Sequence, residues 1–122
     1  MNAYEELNPS AFEIYFGGRQ FKAGLAAYQK CAERFFSGIG LRLEQIGKAV
    51  DRNDTREILH LAHQLKGSVR MLGGASLGDL CESLEENTEK FTQDEKKDIL
   101  NQINLKINKF KLELAAFSST LN

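Results

Sequence analysis

The sequence predicts an all-α fold, an up-and-down four-helix bundle with a short additional N-terminal helix. Three observations carry this expectation. Apolar residues recur at steps of three and four along nearly the whole chain, and no run of alternating β-branched residues suggests a strand. The one proline, Pro9, stands near the N-terminus, so long helices can run behind it without interruption. Short polar turns between the periodic segments make consecutive helices antiparallel neighbours. With 122 residues, of which 42% are hydrophobic, residues 1–122 are expected to form one domain around one sizeable core.

Each element has a local cause. Asn8 before Pro9 reads as an N-cap and first helical position, opening a helix over about 9–16 that ends at Gly17 and Gly18. A long second helix, about 19–52, carries Phe21, Leu25, Tyr28, Ala32, Phe35, Ile39, Leu43, Ile46 and Val50 as one stripe. Gly38 and Gly40 weaken its propensity but keep its period, which leaves room for a bend. Asp54 with Glu57 fits a capping box for a third helix, 54–72, whose core stripe is Ile58, Leu61, Ala62, Leu65, Val69 and Leu72. Gly73 and Gly74 end it. A shorter fourth helix, 75–88, carries Leu77, Leu80, Cys81, Leu84 and Thr88. The polar run ENTEKFTQDEKK then turns the chain into a last helix, 93–120, opened by a second capping box at Thr92 and Glu95. Its stripe is Ile99, Ile103, Ile107, Phe110, Leu114, Phe117 and Leu121.

Composition excludes several functions. With 16 basic against 17 acidic residues, there is no electrostatic footprint for nucleic acid. The N-terminus lacks a basic start followed by an apolar run, and no segment approaches roughly 18 uninterrupted apolar residues, so no membrane role is expected. A soluble, cytoplasmic monomer is the expectation, and Met1 with its short lead favours a free-standing protein. Cys31 and Cys81 have no companion at motif spacing and read as reduced, buried, small apolar residues.

One strip of the third helix asks for a functional reason. With its core stripe at zero, Lys66 falls at about 80°, Arg70 at about 120°, His63 at about 140°, Gly74 at about 160° and Gly67 at about 180°. His63 therefore points to water, flanked by two cations and a gap. Each neighbour has a use if the imidazole handles phosphate. A neutral imidazole carries a free lone pair and can attack. Lys66 disfavours the imidazolium and then offsets the charge of a phosphoryl group. Gly67 costs about 0.5 to 1 kcal/mol in a helix interior, and close approach by another surface would justify it. Arg70 is placed for a further contact to phosphate or to an acidic partner. Against this stands a solvated helix face, which commonly carries such residues. Glu57 and His60 match the Glu-x-x-His spacing of di-iron bundles, but such a site needs a second copy and the chain has two histidines in all, so Glu57 reads as a cap residue.

The run AHQLKGSVRMLGGASLGDLCESLE, Ala62 to Glu85, resembles the signature of histidine-containing phosphotransfer (HPt) domains: Ala-His, a variable residue, Leu-Lys-Gly, then Leu-x-x-Leu-Cys-x-x-Leu-Glu. The resemblance implies a bundle whose third helix presents His63 as phosphoacceptor, with Lys66 steadying the phosphoryl group and Gly67 leaving room for the partner; His60 does not align with the phosphorylated position. It implies passage of a phosphoryl group between aspartates in receiver domains, from a hybrid sensor histidine kinase to a response regulator. The chain needs no cofactor of its own on this reading; the receiver supplies the acidic pocket and Mg²⁺. After the glycine the family often has Ser-Ser or Ser-Ala where this chain has Ser68 and Val69, and Arg70 and Met71 are bulkier than the common small residues, which bears on receiver choice. Gly67, Arg70, Gln64 and Leu59 are the candidate partner-binding residues, and Leu59, Phe36 and Leu41, apolar and off their stripes, the candidate docking rim. The rival is a degenerate bundle that docks a receiver without carrying phosphate. A kinase is not expected, since the chain has no Gly-rich nucleotide loop.

Overall fold

A computed structural model describes residues 4–121. Among them five helices follow in order: α1 (Ser10–Phe16), α2 (Lys22–Asp51), α3 (Thr55–Leu72), α4 (Ala75–Asn87) and α5 (Gln93–Ser119). The neighbours round the bundle are α2 with α3, α3 with α4, α4 with α5 and α5 with α2, and α1 lies across α2 and α3. This is the all-α bundle that the periodicity predicts.

The stripes face one another inside. Tyr28, Ile39, Ile46, Ile58, Leu65, Leu77, Leu84, Ile103, Ile107 and Phe110 are all nearly inaccessible. Burying such a side chain is worth about 1.5–3 kcal/mol, which is why the pattern decides the fold. At one end Tyr28 sits among Phe12, Phe16 and Phe117, with ring centroids 4.9, 5.2 and 5.9 Å away. Its hydroxyl donates to the Leu72 carbonyl at 3.3 Å, so the buried polar atom is satisfied.

The helix ends show where local chemistry was read well and where it was not. Asp54 caps α3 by accepting from the Glu57 N–H at 3.2 Å, and Thr92 and Glu95 form the reciprocal capping box of α5. α1 begins one residue later than expected, although Asn8 Oδ1 still accepts from the Ser10 N–H at 3.1 Å. The start of α2 differs more: Gly17 and Gly18 both take positive φ, Phe21 is extended, and the helix starts at Lys22 rather than near 19. Phe21 is consequently exposed instead of continuing the core stripe. α2 runs unbroken through Gly38 and Gly40.

The N-terminal segment is strapped over the bundle. The Glu113 carboxylate of α5 accepts from the backbone N–H groups of Glu5 (3.0 Å), Glu6 (2.7 Å) and Leu7 (3.1 Å). Leu7 is buried, and the Asn8 N–H donates to the Gly73 carbonyl at 2.8 Å. Gly73 has φ 107°, and a Cβ there would come within 2.5 Å of the Asn8 carbonyl oxygen, so conformation and crowding both require glycine. This turn fixes how α4 returns along α3, and thereby the site.

Candidate functional site

His63 lies midway along α3 on the flank facing α4, with its side chain 66% exposed. The core stripe of α3 puts it there, because Ala62 and Leu65 point inward and leave residue 63 outside. Its Nδ1 is 2.8 Å from Oε1 of Glu85, on α4. The other oxygen of the same carboxylate, Oε2, is 2.8 Å from Nζ of Lys66. Lys66 and Glu85 are only 17% and 20% exposed, so the pair is partly shielded while the imidazole is not.

The electrostatics of Glu85 fix the proton on the ring. Burial pushes the Glu85 carboxyl up, but hydrogen bonds from Lys66 and His63 outweigh it and hold the group below the ordinary carboxylate value. An ionised carboxylate can only accept. Nδ1 of His63 must therefore donate, and the neutral ring carries its lone pair on Nε2, which has no hydrogen-bond partner among the described residues. In its neutral form the ring is an oriented imidazole with its lone-pair nitrogen free of hydrogen bonds to the described residues, beside the Lys66 ammonium.

The remaining strip residues divide. Gly67 is exposed, and a Cβ added there would meet nothing within 4 Å, so the helix presents bare backbone one turn from His63. Gln64 is exposed and Leu59 half-buried. Arg70 is not free for a partner: its guanidinium bonds Asp79 at 2.9 Å and Glu82 at 2.8 Å, both on α4, and is engaged within the fold. The same angle that suggested exposure is the direction in which α4 lies. Gly74 does not join the strip either, because α3 ends at Leu72 and Gly74 is the buried N-cap of α4. Of the apolar candidates, Leu41 is exposed, whereas Phe36 packs against the core.

On the other flank of α3, Arg42 of α2 donates to the Ser68 hydroxyl at 2.9 Å. A cavity of about 150 Å³ opens there between α2 and α3, with Arg34, Phe35, Ser68 and Met71 in its wall. Cys31, expected to be buried, is half-buried and also lines it. Cys81 is fully buried, and burial pushes its thiol up to about 12, which leaves it inert.

Sequence reasoning missed Glu85 as a partner of His63. It closes the quoted run, but only the register of α4 on α3 brings it to the imidazole. Among the described residues no group of three or more His, Cys, Asp or Glu side chains stands together as a metal site, and no helix is long and apolar enough to cross a membrane.

In comparisons with known proteins, a family model described as "Hpt domain" matches residues 31–118. No curated protein and no solved structure matches the chain.

Proposed function

Because the chain belongs to the Hpt-domain family, a carrier module of phosphorelays that works with receiver domains and is not a kinase, we propose that His63 carries the phosphoryl group and bonds it through Nε2. One observation supports this above the others: the Nδ1 contact to Glu85 at 2.8 Å leaves the lone pair of the neutral ring on Nε2, and that ring is two-thirds exposed.

The residues divide the work. Nε2 attacks the phosphorus of a receiver aspartyl phosphate in line, the aspartate leaves as a carboxylate, and His63 holds the group until a second aspartate takes it. Such transfer is governed by positioning and charge, so a rigid bundle with one oriented nucleophile suffices. Lys66, one turn on, offsets charge on the phosphoryl oxygens. Gly67 lets the partner surface approach, with Gln64 and Leu59 beside it and Leu41 on the rim. The partners on this reading are the receiver domains of a hybrid sensor kinase and of a response regulator, meeting this chain in the cytoplasm. Mg²⁺ and the acidic pocket come with the receiver.

The test is transfer from a radiolabelled, phosphorylated receiver to the wild type, His63→Gln and His60→Gln. Label on the wild type and His60→Gln alone, lost in acid and kept in alkali, is the expected result. Absence of label with several receivers and a folded protein would leave a docking module that carries no phosphate.

A further inference from the structure

Glu85 does more than orient a resting ring. We propose that it keeps the Nδ1 proton on His63 through both halves of the transfer, so that the ring always leaves phosphorus as a neutral imidazole and no proton is exchanged with solvent. The inference rests on His63 being the phosphoryl carrier.

The electron count shows why this matters. In the first half the Nε2 lone pair forms the N–P bond, and the electrons of the P–O bond leave on the donor aspartate. The ring keeps its Nδ1–H and is now cationic, with a phosphoryl group on the other nitrogen. In the second half a carboxylate oxygen of the receiving aspartate attacks phosphorus, and the N–P electrons return to Nε2. With the proton still on Nδ1 the departing group is neutral imidazole. Without it the departing group is an imidazolate anion, a far worse one. A carboxylate at 2.8 Å from Nδ1 favours the cationic ring over its deprotonated form. Lys66 on the second oxygen, also at 2.8 Å, keeps that carboxylate charged.

The other charges around the ring do not compete for this role. On α4, Glu82 and Asp79 are bonded to Arg70 of α3. On α3 itself, His60 is exposed a turn earlier, and Lys66 is held by Glu85. From α2, Arg42 is bonded to Ser68 on the opposite flank, and on α1 Glu13 lies against Gly18. Glu85 is the hydrogen-bond partner of His63 among the described residues.

The experiment loads His63 with potassium phosphoramidate, removes the donor, and mixes the phosphorylated protein with one receiver domain and Mg²⁺ between about pH 6.5 and 8.5. The quantity read is the ratio of the Glu85→Gln transfer rate to the wild-type rate at each pH, in which the receiver's own pH dependence cancels. The ratio is expected to fall about tenfold across the range, because the neutral amide still accepts from Nδ1–H but no longer supplies the charge that retains the proton. A purely structural role would lower the ratio equally at every pH. A ratio that stays flat overturns the proposal and leaves His63 as carrier. A wild type that takes no phosphoryl group on His63 from phosphoramidate or from a phosphorylated receiver overturns both. Glu85→Asp, which keeps the charge but shortens the reach, is expected to fall in the same direction, and decides the matter if Glu85→Gln loses its helical circular dichroism.

Discussion

Arg70 lies across Gly78: a Cβ at residue 78 would come within 2.5 Å of the Arg70 Cγ and 2.7 Å of its Nε. The arginine crosses from α3 over this gap to reach Asp79 and Glu82, which hold its guanidinium more firmly protonated than usual. Gly78→Ala is therefore expected to be neutral or destabilising in the wild type, since the helix-propensity gain is spent on displacing Arg70. In an Arg70→Ala background the same change should stabilise by about 0.5–1 kcal/mol. Urea denaturation of the four proteins of this cycle measures the coupling.

Gly67 is the opposite case, a helical glycine with open space where its Cβ would be. Gly67→Ala should stabilise the bundle by about 0.5–1 kcal/mol. Gly67→Leu should fold normally yet slow phosphoryl transfer by about tenfold or more, because a partner can no longer reach the near-attack distance. Thermal unfolding and receiver transfer rates, read on the same preparations, separate the two effects.

Acid should expose the Glu85 ion pair. The folded-state carboxyl is held below its ordinary value of 4.5, so its contribution to stability is present above that value and is lost as pH falls through the lower, folded one. On acidification from about pH 7 to about pH 3 the wild type should therefore lose more stability than Glu85→Gln. Denaturation midpoints at the two pH values give the comparison. Glu5, also held low by Lys109, is exposed and should contribute little to the difference.

Lys66→Ala should slow transfer while the bundle keeps its helicity, since the Lys66 ammonium is engaged by Glu85 and the residue is not one of the buried core side chains. A large fall in circular dichroism would instead mark Lys66 as a structural residue.

Glu113→Ala should release the N-terminal strap at a cost of about 1–2 kcal/mol, because three backbone donors lose one acceptor and water replaces it only in part. Amide exchange at residues 5–7 should rise strongly, while exchange in α3 and α4 changes little.

The fold was legible because its determinants are local and periodic. Ile58, Ala62, Leu65 and Val69 declare a helix face by spacing alone, and Asp54 and Thr92 declare helix starts by what they can bond to. His63, Lys66 and Gly67 were found on one side of α3 by the same arithmetic. What depended on a second element was not legible. Glu85 and the partners of Arg70 belong to α4, and their register follows from a turn whose crowding by Asn8 no periodicity encodes. Lys96 sits in a polar run and is nonetheless buried, with its ammonium bonded to Asn53 at the α2–α3 connection. Phe21 failed for the reverse reason: the period continued past the point where the backbone stops being helical.

The N-terminal strap also orders events in time. Its bonds to Glu113 join residues 106 to 108 positions apart, whereas the imidazole and carboxylate of the site are 22 apart on consecutive helices. Closing the longer loop costs more chain entropy and gains little until the bundle exists to receive it. During refolding the α3–α4 hairpin should thus bring His63 to Glu85 early, and the strap should fasten last. The same order reversed makes the strap the first part to open, leaving the His63–Glu85 contact on the part of the molecule that opens later.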